Sequence, residues 1–365
     1  MSLIKDIYNP LFYDNLIDRI SPTLRSIDKK IFLDRVFSNN FEQMEWKERM
    51  HHTTKVLHTF MPESFSEAAP ILIKIVDELI VTEAGKDSLA LIFLPQYVAM
   101  YGLENFEEAI PVLEKTTQLV SAEFAVRPFI LKYGNEMINE MTKWSQHAHY
   151  KVRRLASEGS RPRLPWGLAI PALKKDPQPV MSLLENLKND PSDWVRKSVA
   201  NNLNDIAKDH PKIVLEIANK WKGISKETDA IIKHGCRTLL KQGNTEALSY
   251  FGLQSTFITL HHIELLTPTV HVGEYLNFSF SMTNTDDIEK VIRLEYGIHY
   301  LKANGKHYKK VFKISEKFYK PKQTVVVIRK HSFKPITTRV FYAGLHHLSI
   351  ILNGTEMAQT SFTLA

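Results

Sequence analysis

One cysteine, Cys236, is present in 365 residues, so no disulfide can close within the chain, which is compatible with a reducing compartment. A bare thiol of this kind reads as helix packing rather than as a nucleophile. No apolar run approaches the roughly 18 residues of a membrane span, and Asp6 and Pro10 fall where a signal peptide needs its apolar stretch, so the expected location is the cytoplasm. A P-loop, a dinucleotide fingerprint and a GxSxG elbow are all missing. The paired histidines His51-His52, His147 with His149, His261-His262 and His346-His347 have neither HExxH nor cysteine-based spacing. No metal and no cofactor are therefore expected, and any catalysis falls to carboxylates in a basic setting.

What is present is an ordinary globular composition, 44% hydrophobic and 24% charged, long enough for two domains. The net charge of +7 permits a polyanion partner without proving one. Its distribution is more informative. Residues 255–365 hold 14 basic against 8 acidic residues, whereas residues 1–254 hold 33 against 32. Within that balanced part, residues 143–175 carry eight basic residues and one acid, Glu158.

From about residue 22 to 250 apolar residues recur at helical spacing, as in Ile71, Ile75, Leu79 and Ile80. An apolar-basic pair repeats along this region: Val126-Arg127, Val152-Arg153-Arg154, Val195-Arg196-Lys197 and Ile232-Lys233, each expected to open the second helix of a pair. The intervals bracket the period of HEAT-type repeats without holding it, because residues 160–177 read as an inserted, proline-rich connection. The pattern fits an α-solenoid, with an irregular helical bundle as the alternative. In a solenoid the repeated second helices share one face.

Near residue 255 the period changes to two, with Leu276, Phe278, Phe280 and Met282 alternating with polar neighbours. Asn304-Gly305 and Asn353-Gly354 are hairpin signals, since both central positions of a type I′ turn need positive φ. About seven strands are expected over residues 256–365, an antiparallel sandwich of the immunoglobulin-like kind without its cysteine pair. The domains so drawn are 1–254 and 255–365.

The stretch HYKVRRLASEGSRPRLPWG, residues 149–167, concentrates the chemistry. Its helix begins near His149 and ends at Glu158, an acid set against the helix dipole. Glu158 can pair with Arg154 at i−4, or it can have a task of its own. Arg161 and Arg163 follow on a stiff loop suited to holding phosphates, and Trp166 is either a flat surface for a base or sugar or a plug that seats the insertion. Glu123 and Asp205 fall at comparable places on other repeated helices, with Asn201 or Asn202 one turn before Asp205. Helices of a solenoid lie roughly 10 Å apart, close enough for three acids to converge. Lys302 to Lys322 form a lysine-rich belt in the β region, either solubilising or phosphate-tracking.

Four blocks carry a family resemblance: SAEFAVRPFI (121–130), residues 149–167, DWVRKSVANNLNDIAKDHP (193–211) and KHSFKPITTRVFYAGLHHL (330–348). In them the chain resembles AlkC-type DNA glycosylases of the HEAT-like-repeat alkylpurine glycosylase superfamily, in the subgroup with a C-terminal immunoglobulin-like domain. The resemblance implies base excision from duplex DNA of 3-methyladenine, 3-methylcytosine and, as a further candidate, 1-methyladenine, on a bent duplex without enclosing the base. It carries the catalytic acids to Glu123, Glu158 and Asp205, with Trp166 lining the site. Asp205 is assigned to the developing sugar cation and the water, Glu158 and Glu123 to positioning. Candidate DNA contacts are Lys151, Arg153, Arg154, Arg161, Arg163, Lys309 and Lys310; a monomer suffices and no membrane is involved. From the residues alone, a non-catalytic HEAT scaffold for DNA or an acidic protein stands as the alternative, separated by release of 3-methyladenine from methylated DNA.

Overall fold

The computed structural model describes residues 3–38, 40–82, 89–336 and 339–365. The chain divides into two compact units, Met1–Gly235 and Cys236–Ala365. The division precedes the change of periodicity near residue 255, because the short helices Arg237–Lys241 and Thr245–Tyr250 belong with the strands. Leu248 packs on the turn at Gly354, where a Cβ would lie 2.8 Å from its Cδ1, and Asn353 Nδ2 donates to the Gln254 carbonyl at 2.8 Å. Periodicity reveals the type of an element, not the core into which it is buried.

The α-helices of the first unit begin at Pro10, earlier than the spacing suggests. Asn9 caps that helix by accepting from the Phe12 amide at 3.0 Å, Pro10 supplies a fixed φ at its first position, and Tyr13, Leu16, Ile17 and Ile20 are buried. The second helices of successive pairs stack in order: Tyr150–Gly159 packs on Asp193–Ile206, which packs on Lys226–Gly235. This is an α-solenoid of HEAT-like repeats. Val126 opens the helix Val126–Tyr133, and Val152 and Val195 sit in the first turns of theirs, but Ile232-Lys233 lies near the end of Lys226–Gly235 and opens nothing.

The repeated arginine has a structural cause. Arg153 Nη1 donates to the carbonyls of His147 and Ala148 at 3.0 and 2.8 Å, and Arg196 Nη1 donates to those of Asp190 and Pro191 at 2.7 and 2.8 Å. In both repeats the guanidinium reaches back five and six residues and clamps the turn from which its own helix springs. Backbone acceptors that have no ladder partner are thereby satisfied.

The second unit is a β-sandwich of eight strands among the described residues: β1 (Ile258–Leu265), β2 (Thr269–Val270), β3 (Tyr275–Asn284), β4 (Lys290–Leu301), β5 (His307–Tyr319), β6 (Thr324–Ser332), β7 (Gly344–Leu352) and β8 (Thr355–Leu364). One sheet runs β1-β3-β6 and the other β2-β8-β7-β4-β5. The strand beyond the expected seven is β2, two residues long and parallel to β8, too short to show alternation. Leu276, Phe278, Phe280 and Met282 point inward against Ile298, Leu348 and Ile350, as the alternation requires. Asn353 and Gly354 take φ of 47° and 75°, the two positive values of a type I′ turn. At Asn304-Gly305 only the glycine does, with φ 75°, and the connection closes instead through Lys302 N to Lys306 O and Gly305 N to Lys302 O, both 2.9 Å.

Candidate active site

Glu123, Glu158 and Asp205 come together. Glu123 lies in the turn before Val126–Tyr133, Glu158 in the last turn of Tyr150–Gly159, and Asp205 in the last turn of Asp193–Ile206. Bases join them in alternation. Arg154 Nη1 donates to Glu123 Oε2 at 2.9 Å while its Nη2 stands 4.0 Å from Glu158 Oε2. Arg161 donates from Nη1 to Glu158 Oε1 at 2.7 Å and from Nε to Asp205 Oδ2 at 2.9 Å. Lys208 closes the series on Asp205 Oδ1 at 2.8 Å.

Burial makes this pairing obligatory. Glu158 is 5% exposed and Asp205 1%, so either carboxylate alone would carry an uncompensated charge out of water. Burial pulls the Arg161 guanidinium down, but Glu158 and Asp205 outweigh it and leave the group above its ordinary range. Arg127 lies beneath, fully buried. It donates from Nη1 to the Gly159 carbonyl at 2.8 Å and from Nε to the Leu168 carbonyl, while Nη2 has no protein partner. Burial first, then repulsion from Arg161, brings Arg127 down to about 10 against the attraction of Asp205, Glu123 and Glu158. Asn202, one turn before Asp205 and buried like it, bonds to the neighbouring helix: its Nδ2 donates to the Ser157 carbonyl at 2.8 Å.

Trp166 is 65% exposed, which sets aside the plug. It sits at φ 63°, with its carbonyl taking a hydrogen bond from Lys47 and its ring 5.8 Å from that of Trp46. Trp46 meets Phe124, the neighbour of Glu123, edge-on at 6.5 Å, so an aromatic shelf runs from Trp166 to the acids. A second exposed tryptophan, Trp194 at 64%, lies under the Arg154 guanidinium at 5.5 Å. Trp194, Trp46 and Lys208 escape sequence reasoning, and Arg127 is legible only as the basic member of the repeated pair Val126-Arg127. Trp194 leaves a trace too, as a large aromatic in the first turn of an amphipathic helix.

The basic residues expected on phosphate have partners within the chain. Arg153 grips Asp190 through Nε at 2.6 Å and Nη2 at 3.1 Å. Lys151 caps the helix Phe106–Leu119 through the carbonyls of Gln118 and Leu119 at 2.8 and 3.2 Å, and burial lowers its ammonium pKa. Arg163 pairs with both oxygens of Asp209, and Arg154 and Arg161 serve the acids. In the second unit Lys309 pairs with Glu356, and Lys310 lies 5.4 Å over the Phe312 ring. Lys310 apart, long-range carboxylates and helix-end carbonyls, invisible in a linear count of charge, hold these cations.

Among the described residues no group of three or more His, Cys, Asp or Glu is arranged to hold a metal, and no helix is long and apolar enough to cross a membrane. The family model described as DNA alkylation repair enzyme matches residues 89–247, and that of the C-terminal Ig-like domain of YhaZ matches residues 259–365. The protein YhaZ of Bacillus subtilis is 43% identical over 355 residues, 97% of either chain. The alkylpurine DNA glycosylase AlkC of Pseudomonas fluorescens, solved bound to DNA containing an abasic site analog, is 33% identical and superposes over 100% of both chains with a TM-score of 0.93. The chain belongs to the AlkC-type alkylpurine DNA glycosylases of the DNA alkylation repair enzyme family, in the subgroup with a C-terminal immunoglobulin-like domain.

Proposed function

We propose that this glycosylase binds duplex DNA and hydrolyses the N-glycosidic bond of cationic methylated bases: 3-methyladenine, 3-methylcytosine and, as a further candidate, 1-methyladenine. The observation that carries the reading is the convergence of Glu123, Glu158 and Asp205 from successive solenoid repeats. A base methylated at these ring nitrogens is already positive. When the bond to C1′ breaks, its electron pair neutralises the departing ring, so no general acid is needed. The positive charge that remains on the sugar is what a carboxylate can stabilise, and the water that attacks C1′ must lose a proton.

Asp205 fits both tasks, with Glu158 and Glu123 orienting the cationic nucleotide. In the free protein Asp205 is held by Arg161 and Lys208. Phosphates of a bound duplex compete for cations such as Lys208 and Arg154, and this exchange releases acid charge toward the substrate. On this reading the base stays in a bent duplex rather than being flipped into a pocket. Base release from methylated duplex by Asp205→Asn tests the assignment. The expected result is loss of most of the excision rate with duplex binding retained; an undiminished rate removes Asp205 from the mechanism, and no release by the unaltered protein favours the scaffold alternative.

A further inference from the structure

The immunoglobulin-like unit holds a cavity of about 640 Å³ that the excision chemistry does not use. Its walls come from the end of β4, the turn into β5, and the segment before β7. Three tyrosines, Tyr300, Tyr308 and Tyr342, and two cations, Lys302 and Arg339, line it, and no carboxylate does. The Arg339 guanidinium carbon stands 4.2 Å from the Tyr300 ring centre and Lys302 Nζ stands 4.7 Å from that of Tyr308. Among the described residues neither cation has an ion-pair partner.

The wall is rigid where it is buried. Tyr300 is tied by its hydroxyl to His331 Nε2 at 2.7 Å, and Tyr296 holds His331 Nδ1 at 3.0 Å. Local charge is positive throughout: Lys310 is lowered by burial and then by Arg339 and Lys241, and His331 falls to about 4 through burial and then Arg339 and Lys310. Unpaired cations laid over aromatic rings, without an acid, select a ligand that is both anionic and flat. An inorganic anion would leave the tyrosines unused, and a neutral ring would leave the cations unpaired.

We propose that this cavity binds one unpaired nucleotide, its base stacked on Tyr308, the more exposed of the tyrosines, and its phosphate held by Arg339 and Lys302. A base inside a duplex has both faces covered, so the ligand is either a free nucleoside monophosphate or the unpaired end of a DNA strand. The inference goes beyond the excision reading and stands without it. The test uses the full-length protein with two probes whose fluorescence is quenched by stacking: 2-aminopurine deoxyribonucleoside 5′-monophosphate, and a 5′-phosphorylated single strand beginning with 2-aminopurine.

Saturable quenching is expected, weakened on the order of tenfold in Tyr308→Ala and in Arg339→Ala and abolished in the double variant. Tyr308 is exposed, so its truncation leaves the sandwich core intact, and circular dichroism of each variant checks this. Quenching of the monophosphate identifies a free nucleotide as sufficient; quenching of the strand alone identifies a strand end. Absence of quenching with both probes, its survival in the folded double variant, or displacement of the probe by inorganic phosphate as readily as by a nucleotide overturns the proposal.

Discussion

Arg153 lies in the block expected to grip phosphate, yet its guanidinium makes two bonds to Asp190 and two to backbone carbonyls. Replacing it by methionine preserves most of the packing and removes all four. Asp190 is 6% exposed and keeps a hydrogen bond from the Ser192 amide at 2.8 Å, so its charge is stranded but not wholly unsolvated. Breaking a buried pair from one side costs about 3–5 kcal/mol, and the surviving amide bond places Arg153→Met near 3. With a urea m-value of about 2–3 kcal/mol per molar, the unfolding midpoint falls by roughly 1–1.5 M. Trp46, Trp144, Trp166, Trp194 and Trp221 are the five tryptophans of the chain, and all lie in the first unit, so indole fluorescence follows that unit alone. Adding Asp190→Leu is expected to recover most of the loss. Duplex affinity, measured where the variant is folded, is expected to stay within a factor of about two if the intrachain bonds are the guanidinium's whole role. An unchanged midpoint together with weaker binding and a salt dependence reduced by about one counterion would refute the structural role.

Three further outcomes are expected. A Cβ at Gly159 would lie 2.5 Å from Val126 Cγ2 and 2.9 Å from Met141 Cε, so Gly159→Ala costs about 1–3 kcal/mol and lowers the melting temperature of the first unit by roughly 5 °C; an unshifted melt contradicts the packing. His331, taken to about 4 by burial and then by Arg339 and Lys310, resists protonation in the fold while the unfolded chain accepts a proton near 6.5. The unfolded state therefore binds more protons between those values, and the second unit loses up to about 3 kcal/mol as pH falls through that window; urea unfolding followed by tyrosine circular dichroism shows this slope, and His331→Gln flattens it. Burial pushes the Cys236 thiol up to about 12, so Ellman's reagent is expected to leave it untouched until denaturant is added, and stoichiometric labelling of the folded protein within minutes contradicts its burial.

Local signals survive into the structure, and partner choice does not. His149 caps its helix through a side-chain bond to the Lys151 amide, Glu158 ends that helix, and Asn353-Gly354 makes the turn its residues demand, each a matter of a few neighbouring residues. The i−4 pair of Glu158 with Arg154 is legible too, but at 4.0 Å it is the looser contact, and Arg161 at 2.7 Å holds the acid. Arg161 reaches Asp205 across 44 residues. Nothing in a linear pattern says whether an arginine will find phosphate, carboxylate or carbonyl, because that depends on which repeat lies beside it. The three acids were placed by family motifs, and Trp194 and Arg127 were not, since exposure of one and burial of the other arise only from stacking.

Trp166 joins a bulky ring to a left-handed backbone, a combination that costs on the order of 1–3 kcal/mol and persists only where the surroundings enforce it. Lys47 holds its carbonyl, and a Cβ at the following Gly167 would meet Leu164 Cδ2 at 2.9 Å, so the loop has little room to relax. Glycine at position 166 would relieve that strain and lose the ring. If the ring serves the proposed excision, stability and activity pull in opposite directions here, and selection for heat resistance alone would be expected to erase the aromatic surface before it touched the acids.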